Sequence, residues 1–207
     1  MIQLKKMPGD LEEAVRQREQ EDAGTGGILL YGSSHFAVWR EEWLTRQMAP
    51  YRLYNRAFGG STAEEALYYY PRLVRPAAPR ALLYYEGDND IPMGYTPGEV
   101  WELTRRVLAW ARTDAGGRLP VVLLGLKHAP ARAAFRPFQD EYNARLRAAA
   151  AEDPDTVYVD QAPFLEDEEG CVRTELYSDD QLHLNEAGYA CVAEALKEAL
   201  GRLGVRP

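Results

Sequence analysis

Of the three histidines in the chain, His35, His128 and His183, only His183 follows an aspartate so placed that the two share one turn. Asp180 precedes it by three residues, just ahead of a helical stretch. The carboxylate can then accept from the imidazole Nδ1–H and leave Nε2 facing outward. An imidazole held in this way is a general base for a hydroxyl nucleophile. Gly32, Ser33, Ser34 and His35 offer that hydroxyl directly after the apolar run Ile28, Leu29, Leu30, Tyr31. A serine at a tight strand-to-helix turn presents its Oγ, and its own N–H can help to hold an oxyanion. Alone, the same turn also fits an ordinary helix N-cap, and Asp-x-x-His also fits a solvated loop.

Two further loops carry donors. Phe58, Gly59, Gly60 and Ser61 contain paired glycines, which let the backbone approach a ligand and aim an N–H at it. Gly87, Asp88, Asn89 and Asp90 contain an asparagine, whose amide donates hydrogen bonds without carrying charge. Each loop alone also reads as a polar turn. Together the four loops supply nucleophile, base, orienting carboxylate and oxyanion donors, the parts that acyl transfer needs.

The intervening sequence must position these loops. Residues 9–21 read as a helix capped by Asp10, and residues 24–27 break it. Short apolar strands are expected at 28–31, 52–55, 81–85, 121–124 and 156–159. Helices are expected at 36–47, with Trp39 and Trp43 on one face, then after a cap at Ser61 or Thr62, and at 97–112, 133–151 and 185–203. Residues 71–79 end the second of these. Such alternation implies parallel strands joined by crossovers, hence a three-layer α/β/α sandwich. A flavodoxin-like, five-stranded parallel sheet of order 2-1-3-4-5 is expected, with ligands beyond the carboxyl ends of the strands.

A length of 207 residues with 46% hydrophobic residues fits one domain over 1–207, with residues 1–24 as an N-terminal helical extension. A net charge of -8 argues against nucleic acid and anionic membrane as partners. The N-terminus is charged and lacks the apolar core of a signal peptide, and no apolar run is long enough to span a bilayer. Cys171 and Cys191 stand apart from any metal-like spacing and are expected as free thiols. A cytoplasmic location is expected.

Taken in order, the four blocks resemble the GDSL/SGNH hydrolase family. The match runs through Tyr31, Gly32, Ser33 and Ser34, residues 55–61 (NRAFGGS), residues 87–90 (GDND) and residues 180–189 (DQLHLNEAGY), nearly the whole chain. The resemblance implies an SGNH hydrolase fold and a serine esterase. It implies Ser34 as nucleophile, Asp180 and His183 as its triad partners, and the N–H groups of Ser34 and Gly60 with the Asn89 side chain as oxyanion donors. Ser33 stands where the family has aspartate, a variant that resembles a known branch, and becomes a minor rival nucleophile. Ser33, His35, Trp39, Lys127 and His128 are candidate substrate contacts. No cofactor or metal is expected. The partner is a small-molecule ester, of short acyl chain because no long apolar lid is present, and self-association stays open. Two rivals remain: a flavodoxin-like binding module holding a phosphate or nucleotide at Gly59 and Gly60, and a metal-dependent hydrolase using His183, Asp180 and Asp88.

Overall fold

The computed structural model describes residues 5, 9–21 and 24–207. Five strands form one parallel sheet: β1 (Ile28–Gly32), β2 (Leu53–Asn55), β3 (Ala81–Tyr85), β4 (Val121–Leu124) and β5 (Thr156–Val159). The order across the sheet is β2-β1-β3-β4-β5, as the sequence indicates. Every residue of β1, β3 and β4 is buried. Helices cover these strands on both faces, which is why their sequences run apolar without alternation. The helices are α1 (Glu12–Gln20), α2 (Ser34–Ala37), α3 (Glu41–Met48), α4 (Ala63–Leu73), α5 (Pro97–Asp114), α6 (Arg136–Ala151), α7 (Ala162–Leu165) and α8 (Glu186–Arg202).

Capping sets where the site-bearing loops end. Thr62 with Glu65, and Thr96 with Glu99, form reciprocal capping boxes at the starts of α4 and α5. Asn185 accepts from the N–H groups of Ala187 and Gly188 at the start of α8. Each such cap stabilises its helix by about 1 kcal/mol. At the end of β1, Gly32 lies opposite Tyr85 with φ of 146°. A Cβ there would fall 1.9 Å from the Tyr85 carbonyl oxygen. Only glycine lets β1 run this close to β3 before the chain turns into Ser33 and Ser34.

Four expectations change. Leu11, without a side-chain bond, occupies the N-cap of α1, so Asp10 does not cap it. The expected helix over 36–47 is two helices, and Trp39 sits in the break between them. The break has a tertiary cause. The carbonyls of His35, Phe36 and Ala37 accept from the side chains of Tyr189 (2.7 Å), Asn55 (2.7 Å) and Arg18 (3.3 Å). These remote donors terminate the helix as a cap would. Pro71 lies inside α4, which continues to Leu73. Residues 130–135 form a 3-10 segment, so α6 starts later than residue 133.

Within the expected N-terminal extension, residues 1–4, 6–8, 22 and 23 lie outside the described residues. The described part is tied to the body: Arg72 of α4 pairs with Glu12 and Glu19 of α1 at 2.8 and 2.7 Å. Cys171 and Cys191 are free thiols. No described helix is long and apolar enough to cross a membrane.

Candidate active site

The Asp180–His183 turn hangs from the start of α8. Asn185 uses its Oδ1 on the helix and donates from Nδ2 to the carbonyls of Glu175 (2.7 Å) and Tyr177 (3.1 Å). Ser178 N–H donates to the His183 carbonyl at 2.8 Å, and Gln181 N–H to the Ser178 carbonyl at 2.9 Å. Gln181 adopts φ of 54°, which closes the loop tightly enough to bring Asp180 back under the imidazole. Asp180 Oδ1 accepts the N–H groups of Leu182 and His183, each at 2.9 Å. Its Oδ2 lies 2.5 Å from His183 Nδ1. Partial burial pushes the Asp180 carboxyl up, but the bonds from the His183 side chain and from these N–H groups outweigh it and hold the group at about 2. The carboxylate is therefore ionised throughout the neutral range and fixes Nδ1 as the protonated nitrogen.

His183 Nε2 then faces Ser34 Oγ at 2.8 Å. Ser33 Oγ is buried without a hydrogen-bond partner, which sets it aside as the rival nucleophile. The Gly59–Gly60 turn adjoins the serine: a Cβ built on Gly59 would lie 3.8 Å from the Ser34 Cβ. Gly60 takes φ of 80°, a conformation suited to glycine. Among the described residues, neither the Ser34 N–H nor the Gly60 N–H has an acceptor within the chain. Asn89 spends one amide proton on the Ser61 carbonyl at 2.9 Å, which anchors the side chain and leaves its second proton for a ligand.

Four of the five candidate substrate contacts are buried and held from within, and the fifth is fixed between two carboxylates. Besides Ser33, His35 is buried against Tyr85 at a centroid distance of 4.4 Å. Burial, with the charges of Lys127 and His183, pushes its imidazole well below the usual range, so it is neutral. Trp39 is buried, stacks on Tyr189 at 4.7 Å and donates to Gln47 at 3.0 Å. It borders a cavity of about 930 Å³ beside β2 whose lining includes neither Ser34 nor His183. Lys127 is buried and bonded to Asp88 (3.1 Å) and Tyr85 (3.3 Å). His128 is bonded at Nδ1 to Glu166 and at Nε2 to Asp140, the latter at 2.9 Å. These side chains pack or brace the loops. The rival metal set also separates, because Asp88 turns inward to Lys127, Tyr85 and Gln139 while Asp180 and His183 serve Ser34.

Sequence reasoning missed Glu86. It is buried and its Oε1 lies 2.6 Å from Ser61 Oγ. The available signal was an acidic residue directly after an uninterrupted apolar strand. The sequence places Asn185 only as the first residue of the closing helix, although its side chain also braces the turn that carries Asp180 and His183.

The chain belongs to the GDSL-like lipase/acylhydrolase family, whose model matches residues 23–191. Among curated proteins, none matches. Among solved structures, a protein from Streptococcus pneumonia is 18% identical, with 92% of this chain and 94% of that chain covered and a TM-score of 0.76. A GDSL-like lipase from Bacteroides thetaiotaomicron VPI-5482 is 15% identical over 93% of this chain and 97% of that chain, at a TM-score of 0.72. A member of the lipolytic protein G-D-S-L family from Veillonella parvula DSM 2008 is 19% identical over 85% and 98%, at 0.68. At these identities the neighbours establish the shared fold. Family and fold together make the chain a hydrolase of this class.

Proposed function

We propose that the chain is a serine esterase that cleaves carboxylic esters of short acyl groups through an acyl-enzyme on Ser34. The observation that carries this reading is the unbroken line Ser34 Oγ, His183 Nε2, His183 Nδ1, Asp180 Oδ2, with contacts of 2.8 and 2.5 Å.

In the first half-reaction, Ser34 Oγ attacks the ester carbonyl carbon while His183 Nε2 takes its proton. The carbonyl π electrons move onto oxygen. The Ser34 and Gly60 N–H groups and the free Asn89 proton receive that charge; each such donor supplies about 3 kcal/mol to the transition state. Collapse breaks the bond to the alcohol oxygen, which leaves with the proton from His183. In the second half, water gives a proton to His183 and adds to the acyl carbon. Collapse returns the electron pair and proton to Ser34 and frees the acid. Asp180 stays ionised and stabilises the imidazolium in both halves.

The preference for short acyl groups rests on the sequence, which carries no long apolar segment of the kind that forms a lid over a lipid-binding site.

A fluorophosphonate probe tests the reading. Wild type should become covalently labelled, with the adduct on the peptide containing Ser34, and Ser34→Ala should stay unlabelled. Labelling of both proteins, or of neither, would remove the serine esterase.

A further inference from the structure

Two loops would supply oxyanion donors, the 58–63 turn with Gly60 and the 86–90 loop with Asn89, and they are clamped to each other. Asn89 donates to the Ser61 carbonyl at 2.9 Å. Ala63 N–H donates to Asp90 Oδ1 at 3.0 Å. The third link is Ser61 Oγ with Glu86 Oε1 at 2.6 Å, in which Ser61 is wholly buried and Glu86 nearly so.

That third link dictates a protonation state. Ser61 Oγ also lies 3.0 Å from the Phe58 carbonyl oxygen. A hydroxyl has one proton, and a carbonyl oxygen can only accept. Both contacts become hydrogen bonds when Ser61 donates to Phe58 and Glu86 donates to Ser61. An ionised Glu86 would compete with Phe58 for one proton. It would also leave a buried charge with Oε2 unpartnered, since Oε2 has no hydrogen-bond partner. Burial, reinforced by the neighbouring Asp90 carboxyl, pushes Glu86 well above the usual carboxylate range, in accord with this geometry.

We propose that Glu86 is a positioning residue: its carboxylic acid O–H holds Ser61, and through Ser61 it sets the spacing between the Gly60 N–H and the Asn89 amide. This rests on the oxyanion roles given to Gly60 and Asn89. Glu86 itself touches no reacting atom. A neutral acid is the fitting donor here, because a carboxylate beneath the oxyanion donors would oppose the charge that they receive. Ser61 thus links three groups at once: its hydroxyl accepts from the Glu86 O–H and donates to the Phe58 carbonyl, while its carbonyl accepts from Asn89.

The experiment compares kcat and KM for p-nitrophenyl acetate in Glu86→Gln, Glu86→Leu, Ser61→Ala and Asn89→Ala, with thermal midpoints for each, and in the double variant Ser61→Ala/Asn89→Ala. Glutamine presents an N–H donor where the acid has O–H, so Glu86→Gln should keep kcat within about threefold. Glu86→Leu and Ser61→Ala should lower kcat on the order of tenfold or more while KM moves by less than about threefold. The double variant should lose little beyond Asn89→Ala, because both changes disable one device. Should Glu86→Leu fail to fold, Ser61→Ala, which removes a single oxygen, carries the same prediction. The proposal is overturned by an unchanged kcat in Ser61→Ala, by a glutamine variant as impaired as the leucine variant, or by losses that multiply in the double variant. An unchanged kcat in Asn89→Ala alone would strike the oxyanion assignment, and this proposal with it. A large loss there beside an intact Ser61→Ala would strike only the role of Glu86.

Discussion

One carboxylate holds His183 at two points: Asp180 Oδ2 meets the ring at Nδ1, 2.5 Å away, and Asp180 Oδ1 accepts the backbone N–H of the same residue at 2.9 Å. Ring tautomer and loop shape therefore depend on one side chain. Asp180→Asn should keep much of the backbone geometry, because the amide oxygen can still accept, but it removes the charge that steadies an imidazolium. The expected loss in kcat for a p-nitrophenyl ester is on the order of 10³- to 10⁴-fold, with the thermal midpoint shifted by only a few degrees. A loss below about tenfold would mean that Asp180 shapes the loop and takes no part in the chemistry.

Adjacent serines give a sharper contrast. Ser34 Oγ meets His183, whereas Ser33 Oγ points into the interior with no partner. Ser34→Ala should reduce ester turnover by at least about 10³-fold. Ser33→Ala should retain turnover within about fivefold, since a buried, unbonded hydroxyl contributes little and its removal relieves an unsatisfied group. The two variants, assayed side by side, would reverse these outcomes if the turn were off by one residue.

Strands and site loops were legible because their signals are local. Apolar runs such as residues 28–31 and 121–124 declare buried strands. The spacing of Asp180 and His183 permits their pairing, and the serine, glycine and asparagine loops that precede them in order give that spacing its meaning. The break before Trp39 was not legible, since the donors that stop α2 come from Arg18, Asn55 and Tyr189, far away in sequence. The interior positions of His35 and Lys127 were hidden for a related reason. Residues just past a strand end can face either the ligand or the core, and Asp88, Tyr85 and Gln139 draw Lys127 inward. Resemblance to a family adds the roles of motif residues. It is silent on Glu86, whose meaning depends on one contact with Ser61.

Lys127 should matter for stability. Burial pushes the Asp88 carboxyl up, but the charge of Lys127, together with bonds from Tyr85, Lys127 and Gln139, holds it below its usual value. Lys127→Met leaves that carboxylate without a counter-ion in the interior, which costs about 3–5 kcal/mol. Adding Asp88→Asn should recover most of the loss, because the pair is then replaced by neutral groups. Urea unfolding of the two single variants and the double variant measures this directly. A destabilisation in Lys127→Met that Asp88→Asn deepens would contradict a charge-pairing role.

Asp90 makes folding stability depend on pH in a direction opposite to that of a salt-bridged carboxylate. Burial, with Glu65 and Asp88 nearby, pushes its pKa from 3.8 to about 7, against the pull of the Ala63 N–H. Between these two values the unfolded chain has lost the proton and the folded chain still holds it. The folded state then binds more protons, so its stability falls as pH rises through this window. The contribution reaches about 4 kcal/mol by pH 7 and grows little beyond it. Glu86, raised for the same reason, acts in the same direction. Asp90→Asn cannot ionise, and its side-chain oxygen can still accept from Ala63. Denaturant unfolding at pH 4.5, 6 and 7.5 should therefore show wild type losing stability across the series more steeply than Asp90→Asn. At pH 7.5 the variant should be the more stable of the two. Parallel slopes would place the Asp90 carboxyl in its ordinary range and remove it from the buried clamp.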